Sequence, residues 1–217
     1  MSSFPGSPRL LKGAIVGCDP ANPLASVVVF QYNPDMMTRR LEPRTMGGTE
    51  GDKSEALRLT GPPKETITVS IEVDAADQLE SGDPITVATG VNPPLAALEM
   101  LLYPKSATVI ANAILAQVGN IEIIPPEAPM ILFVWGPTRV LPVRISSFSI
   151  TEEAFDTMLN PIRAKVDLSL YVLSYADLKV TDPGYTLFMA YQIAKEVMAV
   201  TNVVGSIQNT GASLKLF

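Results

Sequence analysis

The chain has 217 residues, 47% hydrophobic and 18% charged, with a formal net charge of -6, so it has material for one sizeable core and no basic surplus to neutralise phosphates. It contains no histidine and one cysteine, Cys18, which excludes Ser-His-Asp and Cys-His triads, an intramolecular disulfide framework and the common Cys/His zinc arrangements. Nucleic acid is therefore not an expected partner, and Cys18, with no imidazole to activate it, reads as a small structural hydrophobe.

The opening "MSSFPGSPRLLKGAIVG" has two prolines before any apolar run and no long apolar core behind a charged start, so it does not read as a signal peptide, and the cytoplasm is the expected compartment. No segment approaches the roughly 20 uninterrupted apolar residues of a membrane span, so no membrane partner is expected. "GAIVGC" and "SVVVFQY" read as strands. The second closes at Asn33-Pro34, because proline keeps its predecessor out of the helical region and asparagine tolerates turns. Residues 42–56, "EPRTMGGTEGDKSEA", read as a mobile loop; "MGGTEG" has neither phosphate-loop spacing, and Gly47 and Gly48 supply flexibility.

From residue 65, "ETITVSIEVDA" alternates, with Ile67, Val69, Ile71 and Val73 on one face and Thr66, Thr68, Ser70, Glu72 and Asp74 on the other, as a half-buried strand requires. "PPLAALEMLLYP" opens on prolines and stops at Pro104, which predicts a helix. Residues 105–128 are expected to hold a short helix, "SATVIANAILAQV", ended by Gly119, and then the strand-like "IEIIP". "PMILFVWG" is a continuous apolar run, as in a strand covered on both faces or caught at an interface. "VLPVRISSFSITEEAF" alternates through Val143 and Ile145 and loses phase before Phe148 and Ile150, which predicts a bulge near Ser146-Ser147. "AKVDLSLYV" opposes Ala164, Val166, Leu168, Leu170 and Val172 to Lys165, Asp167, Ser169 and Tyr171.

"GYTLFMAYQIAKEVMAV" carries Tyr185, Phe188, Met189, Ile193 and Val197 at helical spacing and should pack along the dry face of the sheet. Residues 201–217 lack periodicity and read as a C-terminal tail, ordered on assembly, behind a single domain over residues 1–200. Pattern counting thus predicts about six strands. They are mainly antiparallel, since many links are too short for a helical crossover, and they are accompanied by helices.

Glu152, Glu153 and Asp156 in "TEEAFD" invite an acid/base or metal reading, but they lie in a link between strands with no matching acidic group elsewhere, and a solvated turn is the better account. No catalytic, cofactor-binding or metal-ligating residue is assigned, and no cofactor is expected.

"PRLLKGAIV", "VVFQYNPD" followed by Arg39 or Arg40, "ETITVSIEVDA", "PPLAALEMLLYP", "ILFVWGPTRVLPVRISSFSITEEAFD" and "LNPIRAKVDLSLYVL" cover most of residues 8–175. In that order and spacing they resemble the tube-type domain of contractile injection system proteins, the family that links a phage-tail-like inner tube to its baseplate. The resemblance implies an antiparallel β-barrel or sandwich of the tail-tube type, mainly β with α, packed against one or two helices. It implies that the Asn-Pro turn delivers the chain between neighbouring subunits, which puts Asn33, Pro34, Asp35, Arg39 and Arg40 at the subunit interface. Asn160, Pro161 and Arg163 of "LNPIRA" join them there and set a hairpin whose outgoing strand enters the tube wall.

The implied partners are copies of the chain in a ring, six by resemblance, with inner-tube and baseplate or spike proteins as neighbours; assembly in the cytoplasm would precede incorporation into the particle. Related adaptors often add a C-terminal LysM module, for which the 17 residues after residue 200 are too few, a separate domain needing roughly 40. The resemblance is thus to a tube initiator or adaptor without that module, with the main inner-tube or terminal tube subunit as alternatives.

Strands dry on one face and polar on the other suit a ring in which the wet face lines an aqueous channel and each edge pairs with the next copy. Thr66, Thr68, Ser70, Glu72, Lys165, Asp167 and Ser169 are then lumen-facing. Two rivals come from other classes: a ligand-binding β-barrel, and a glycosidase working with carboxylates alone.

Overall fold

The computed structural model describes residues 11–18, 27–45, 58–104, 106–117 and 129–210. The strands are β1 (Ala14–Cys18), β2 (Val27–Val29), β3 (Met37–Glu42), β4 (Lys64–Asp74), β5 (Met130–Val134), β6 (Val140–Phe155) and β7 (Pro161–Val172), and the helices α1 (Ala76–Glu80), α2 (Pro84–Thr89), α3 (Asn92–Glu99), α4 (Ser106–Gln117) and α5 (Pro183–Thr210). The strands form one sheet in the order β2-β1-β5-β6-β7-β4-β3, with every pairing antiparallel.

Period-2 alternation organises the sheet as expected. Ile67, Leu170 and Ile145 stand in one cross-strand row and Val69, Leu168 and Phe148 in the next, on the inner face. The register slips between Ile145 and Ser147, at the expected bulge. The extra residue lets Ser146 and Ser147 both face out and returns Phe148 and Ile150 to the inner side.

The inner face curls around a core containing Ile15, Phe133, Leu141, Val166 and Leu168, with the stacked rings of Phe133 and Trp135 5.8 Å apart. α3 closes one end with Leu95 and Leu98. Its tight entry depends on Gly90, which has φ of +59° and whose Cβ, if it had one, would overlap the Pro161 carbonyl oxygen. α5 crosses the opposite end with Phe188 and Tyr191.

Three expectations change. The sheet is open: its outer strands β2 and β3 do not pair with each other, so no closed barrel forms among the described residues. Among the described residues there are seven strands, because "MTRRLE", not counted among the expected strands, forms β3 and pairs with β4 from Met37–Val69 to Glu42–Lys64. Two adjacent arginines mask its alternation, Arg39 inward on Glu65 and Arg40 outward, where an edge strand tolerates charge. α5 continues to Thr210, and Ile193 and Val197 are exposed instead of lying on the sheet, where contact is made by Phe188 and Tyr191.

The short helix after Pro104 is present as α4. "IEIIP", Gly47 and Gly48, most of the loop at 42–56, and residues 211–217 lie outside the described residues. No helix among the described residues is long and apolar enough to cross a membrane.

Candidate functional site

The outer face of β3, β4, β7 and β6 presents its polar side chains in continuous rows across the strands. Arg40, Thr66, Tyr171 and Arg144 form the first, and Thr38, Thr68, Ser169 and Ser147 the second. Ser70, Asp167 and Ser149 follow, then Glu72, Lys165 and Thr151, then Asp74, Arg163 and Glu153. All seven residues expected on the wet face therefore share one surface, since β4 and β7 pair without a slip.

This surface is electrically uneven along the strands. At one end the Arg144 guanidinium lies over the Tyr171 ring, 5.4 Å from its centre, and Arg44 Nη2 donates to the Tyr171 hydroxyl at 2.8 Å. The second row, Thr38, Thr68, Ser169 and Ser147, carries only hydroxyls. The far end interleaves Glu72, Asp74, Glu153 and Asp167 with Lys165 and Arg163.

The Asn-Pro segment lies where the chain passes from β2 at one outer edge of the sheet to β3 at the other. Asn33 Nδ2 donates to the Leu11 carbonyl at 2.7 Å, and its Oδ1 accepts from Gly13 N–H at 2.9 Å, so a side-chain amide imitates a ladder pair beside β1. Gln31 does the same at β4. Its Nε2 donates to the Asp74 carbonyl at 2.8 Å and its Oε1 accepts from Asp74 N–H at 2.9 Å. Residues 30–33 are thus a clasp between the sheet's two ends, which Pro34 follows and Asp35 extends into solvent. Sequence reasoning misses Gln31, because nothing local marks a partner 43 positions away.

The two arginines are not equivalent. Arg39 points inward and binds Glu65 through Nη2 at 2.6 Å and Nε at 2.8 Å, whereas Arg40 points outward to Glu42 at 2.9 Å. The Glu65 side chain is 5% exposed. Its parity in β4 matches Ile67 and Val69, so a carboxylate among inward positions is the signal that an ion pair is required. Lys195 of α5 is near enough to feel both charges, and burial chiefly lowers its ammonium pKa.

At the β6–β7 turn, Asp156 Oδ1 accepts from the Met158 and Asn160 N–H groups at 2.7 and 2.8 Å, and its Oδ2 accepts from Asn160 Nδ2 at 2.9 Å. Those bonds, led by the Asn160 side chain, hold the Asp156 carboxyl below the usual aspartate range. Leu159 takes φ of +65° to close the turn. The buried Pro161 gives its carbonyl to Val91 N–H at 2.9 Å, and Arg163 Nη2 meets Asp74 at 2.6 Å. Asp74 is held below its ordinary value first by the Ala76 N–H and then by Arg163.

Of the residues expected at an interface, Asn33, Arg39, Asn160, Pro161 and Arg163 have partners within the chain, while Asp35 is exposed and Arg40 makes a surface ion pair to Glu42. Glu152 and Glu153 are exposed on β6, and no group of three or more Cys, Asp or Glu side chains among the described residues is placed to hold a metal ion. No protein-family model matches the chain, and no curated protein matches it.

Proposed function

We propose that the chain is a structural subunit of a contractile injection system or phage-tail-like particle, forming a ring that connects the inner tube to the baseplate. The observation that supports this reading is the run of polar rows over four adjoining strands, backed by a covered core, in an open sheet whose outer strands β2 and β3 each have one edge unpaired among the described residues. On this reading the wet face lines the channel. Its hydroxyl row and alternating charges offer passing cargo no large apolar or single-sign surface to hold. β2 and β3 meet the edges of neighbouring copies, which removes the hazard of exposed ladders.

Asp35 and Arg40 present charge to the neighbour. Asn33, Arg39, Asn160, Pro161 and Arg163 hold the surrounding segments in place. The tube-type barrel is completed by neighbouring copies, and six per ring is what the family resemblance implies.

Electron microscopy of the purified protein tests the proposal: rings with a central hole are expected. A monomer that retains a small molecule in native mass spectrometry would refute it and favour a ligand-binding barrel.

A further inference from the structure

The β6–β7 hairpin runs past the end of the core. Thr151 to Phe155 are exposed on both faces of β6, and at the turn Met158 and Leu159 are 77% and 79% exposed. The tip is held firmly: the Asp156 carboxylate accepts from the Met158 and Asn160 N–H groups, and Asn160 Nδ2 ties the base of the turn to the Ala88 carbonyl at 3.2 Å. Ala154 and Leu159 take φ of +53° and +65°, conformations that cost non-glycine residues energy. Strain and hydrogen bonds thus keep apolar side chains in water, where their exposure is itself unfavourable.

The other end of the same strands carries a receptive surface. A cleft of about 290 Å³ opens between α5 and the ends of β4 and β7, walled by Leu59, Pro62, Val172, Tyr175 and Phe188. The charged side chains lining it are Glu65, already paired with Arg39, and Lys195. The half-buried Lys195 ammonium lies over the Tyr191 ring, 4.6 Å from its centre, and pairs with no carboxylate among the described residues; Glu196, outside the cleft, accepts from Gln192 at 3.4 Å. At the tip the free charge is negative. Glu152 and Glu153 are both exposed, and only Glu153 stands opposite an arginine, Arg163, which already bonds Asp74. Tip and cleft sit at opposite ends of β7, beside Pro161 and Val172, about 36 Å apart at about 3.3 Å per residue, so one copy cannot bring them together.

We infer that the β6–β7 tip of one copy inserts into the α5 cleft of a second copy, with Met158 and Leu159 against the apolar walls and Glu152 beside Lys195. Charge selects this occupant: an apolar knob flanked by carboxylates suits a cleft whose free charge is an ammonium, and a cationic knob would be repelled. The wet face runs the same way, with arginines at the cleft end and carboxylates at the tip end. Because the two surfaces differ and lie at opposite ends of one strand, the contact is heterologous and repeats head to tail along the strand direction. On the ring reading above it stacks one ring on the next; the pairwise contact stands without that reading.

The test uses a Cys18→Ser background, with Met158→Cys in one preparation and Leu59→Cys, at the cleft rim, in a second of different isotopic mass. Oxidising the mixture should give the mixed disulfide dimer. Adding Glu152→Lys to the first protein should cut its yield at least about fivefold, the equivalent of about 1 kcal/mol, and adding Lys195→Glu to the second should restore it. Glu152→Lys should melt with the parent, since the site is exposed. If Lys195→Glu does not fold, Lys195→Met takes its place and should make the yield insensitive to Glu152→Lys. A yield that ignores Glu152→Lys against the parent cleft overturns the contact, as does a chain carrying both cysteines that closes only on itself. Single rings that neither stack nor cross-link overturn the contact and leave the ring reading standing, whereas cross-linked filaments without rings do the reverse. A parent protein that stays monomeric at high concentration overturns both.

Discussion

Replacing Arg39 by Glu removes the partner of a carboxylate whose side chain is only 5% exposed and sets a second negative charge beside it. Breaking one side of a buried ion pair costs about 3–5 kcal/mol. Arg39 is itself 26% exposed and Lys195 interacts with Glu65, so solvent and that ammonium recover part of the loss, and about 2–4 kcal/mol is expected. At about 2–4 °C per kcal/mol for a chain of this size, the melting temperature should fall by roughly 5–15 °C. Arg40→Glu disturbs only a surface pair in which Arg40 is 77% exposed. It should cost about 0–1 kcal/mol and move the melting temperature by no more than about 4 °C. Combining Arg39→Met with Glu65→Leu should restore most of the stability, because removing both charges leaves neither unpaired. Calorimetry at pH 7 reads the stabilities, and light scattering reads assembly, which Arg40→Glu should weaken without unfolding the subunit. Equal melting for the two single reversals, or an Arg39→Glu protein as stable as the parent, would refute the reasoning.

Val69→Asp, at a position 1% exposed, should leave the protein insoluble or unfolded, since a buried unpaired charge costs several kcal/mol, whereas Thr68→Asp on the wet face should melt within a few degrees of the parent. Gln31→Ala deletes both bonds to the Asp74 backbone and should cost about 1–3 kcal/mol in urea unfolding. Faster hydrogen exchange at the Asp74 amide should accompany it. Gly90→Ala forces a left-handed conformation and a collision with the Pro161 carbonyl, so it should lower the melting temperature more than Gly82→Ala, where nothing lies within 4 Å. The Asp74 and Asp156 carboxyls titrate below their ordinary value in the folded chain. Their contribution is therefore present above about pH 4 and lost as pH falls through the lowered folded values, so Asp156→Asn should flatten the acid limb of a stability profile.

The two faces of β4 and β7 are legible in the chain because alternation is a local property: once residue 67 points inward, the parity of its neighbours follows. The bulge at Ser146-Ser147 is legible for the same reason, as a break in phase that only an extra residue repairs. β3 is hidden because an edge strand needs no clean alternation, and its two arginines look alike until pairing with β4 sends one to Glu65 and the other to solvent. The clasp is beyond local reading altogether. Gln31 meets Asp74 and Asn33 meets Leu11 and Gly13 across 43, 22 and 20 positions, and nothing in an amide's immediate surroundings encodes so distant a partner. α5 shows the same limit on a helix. Its period identifies which apolar residues can share a face, but burial reaches Phe188 and Tyr191 and not Ile193 or Val197, because only the sheet beneath a helix decides where along its length water is excluded.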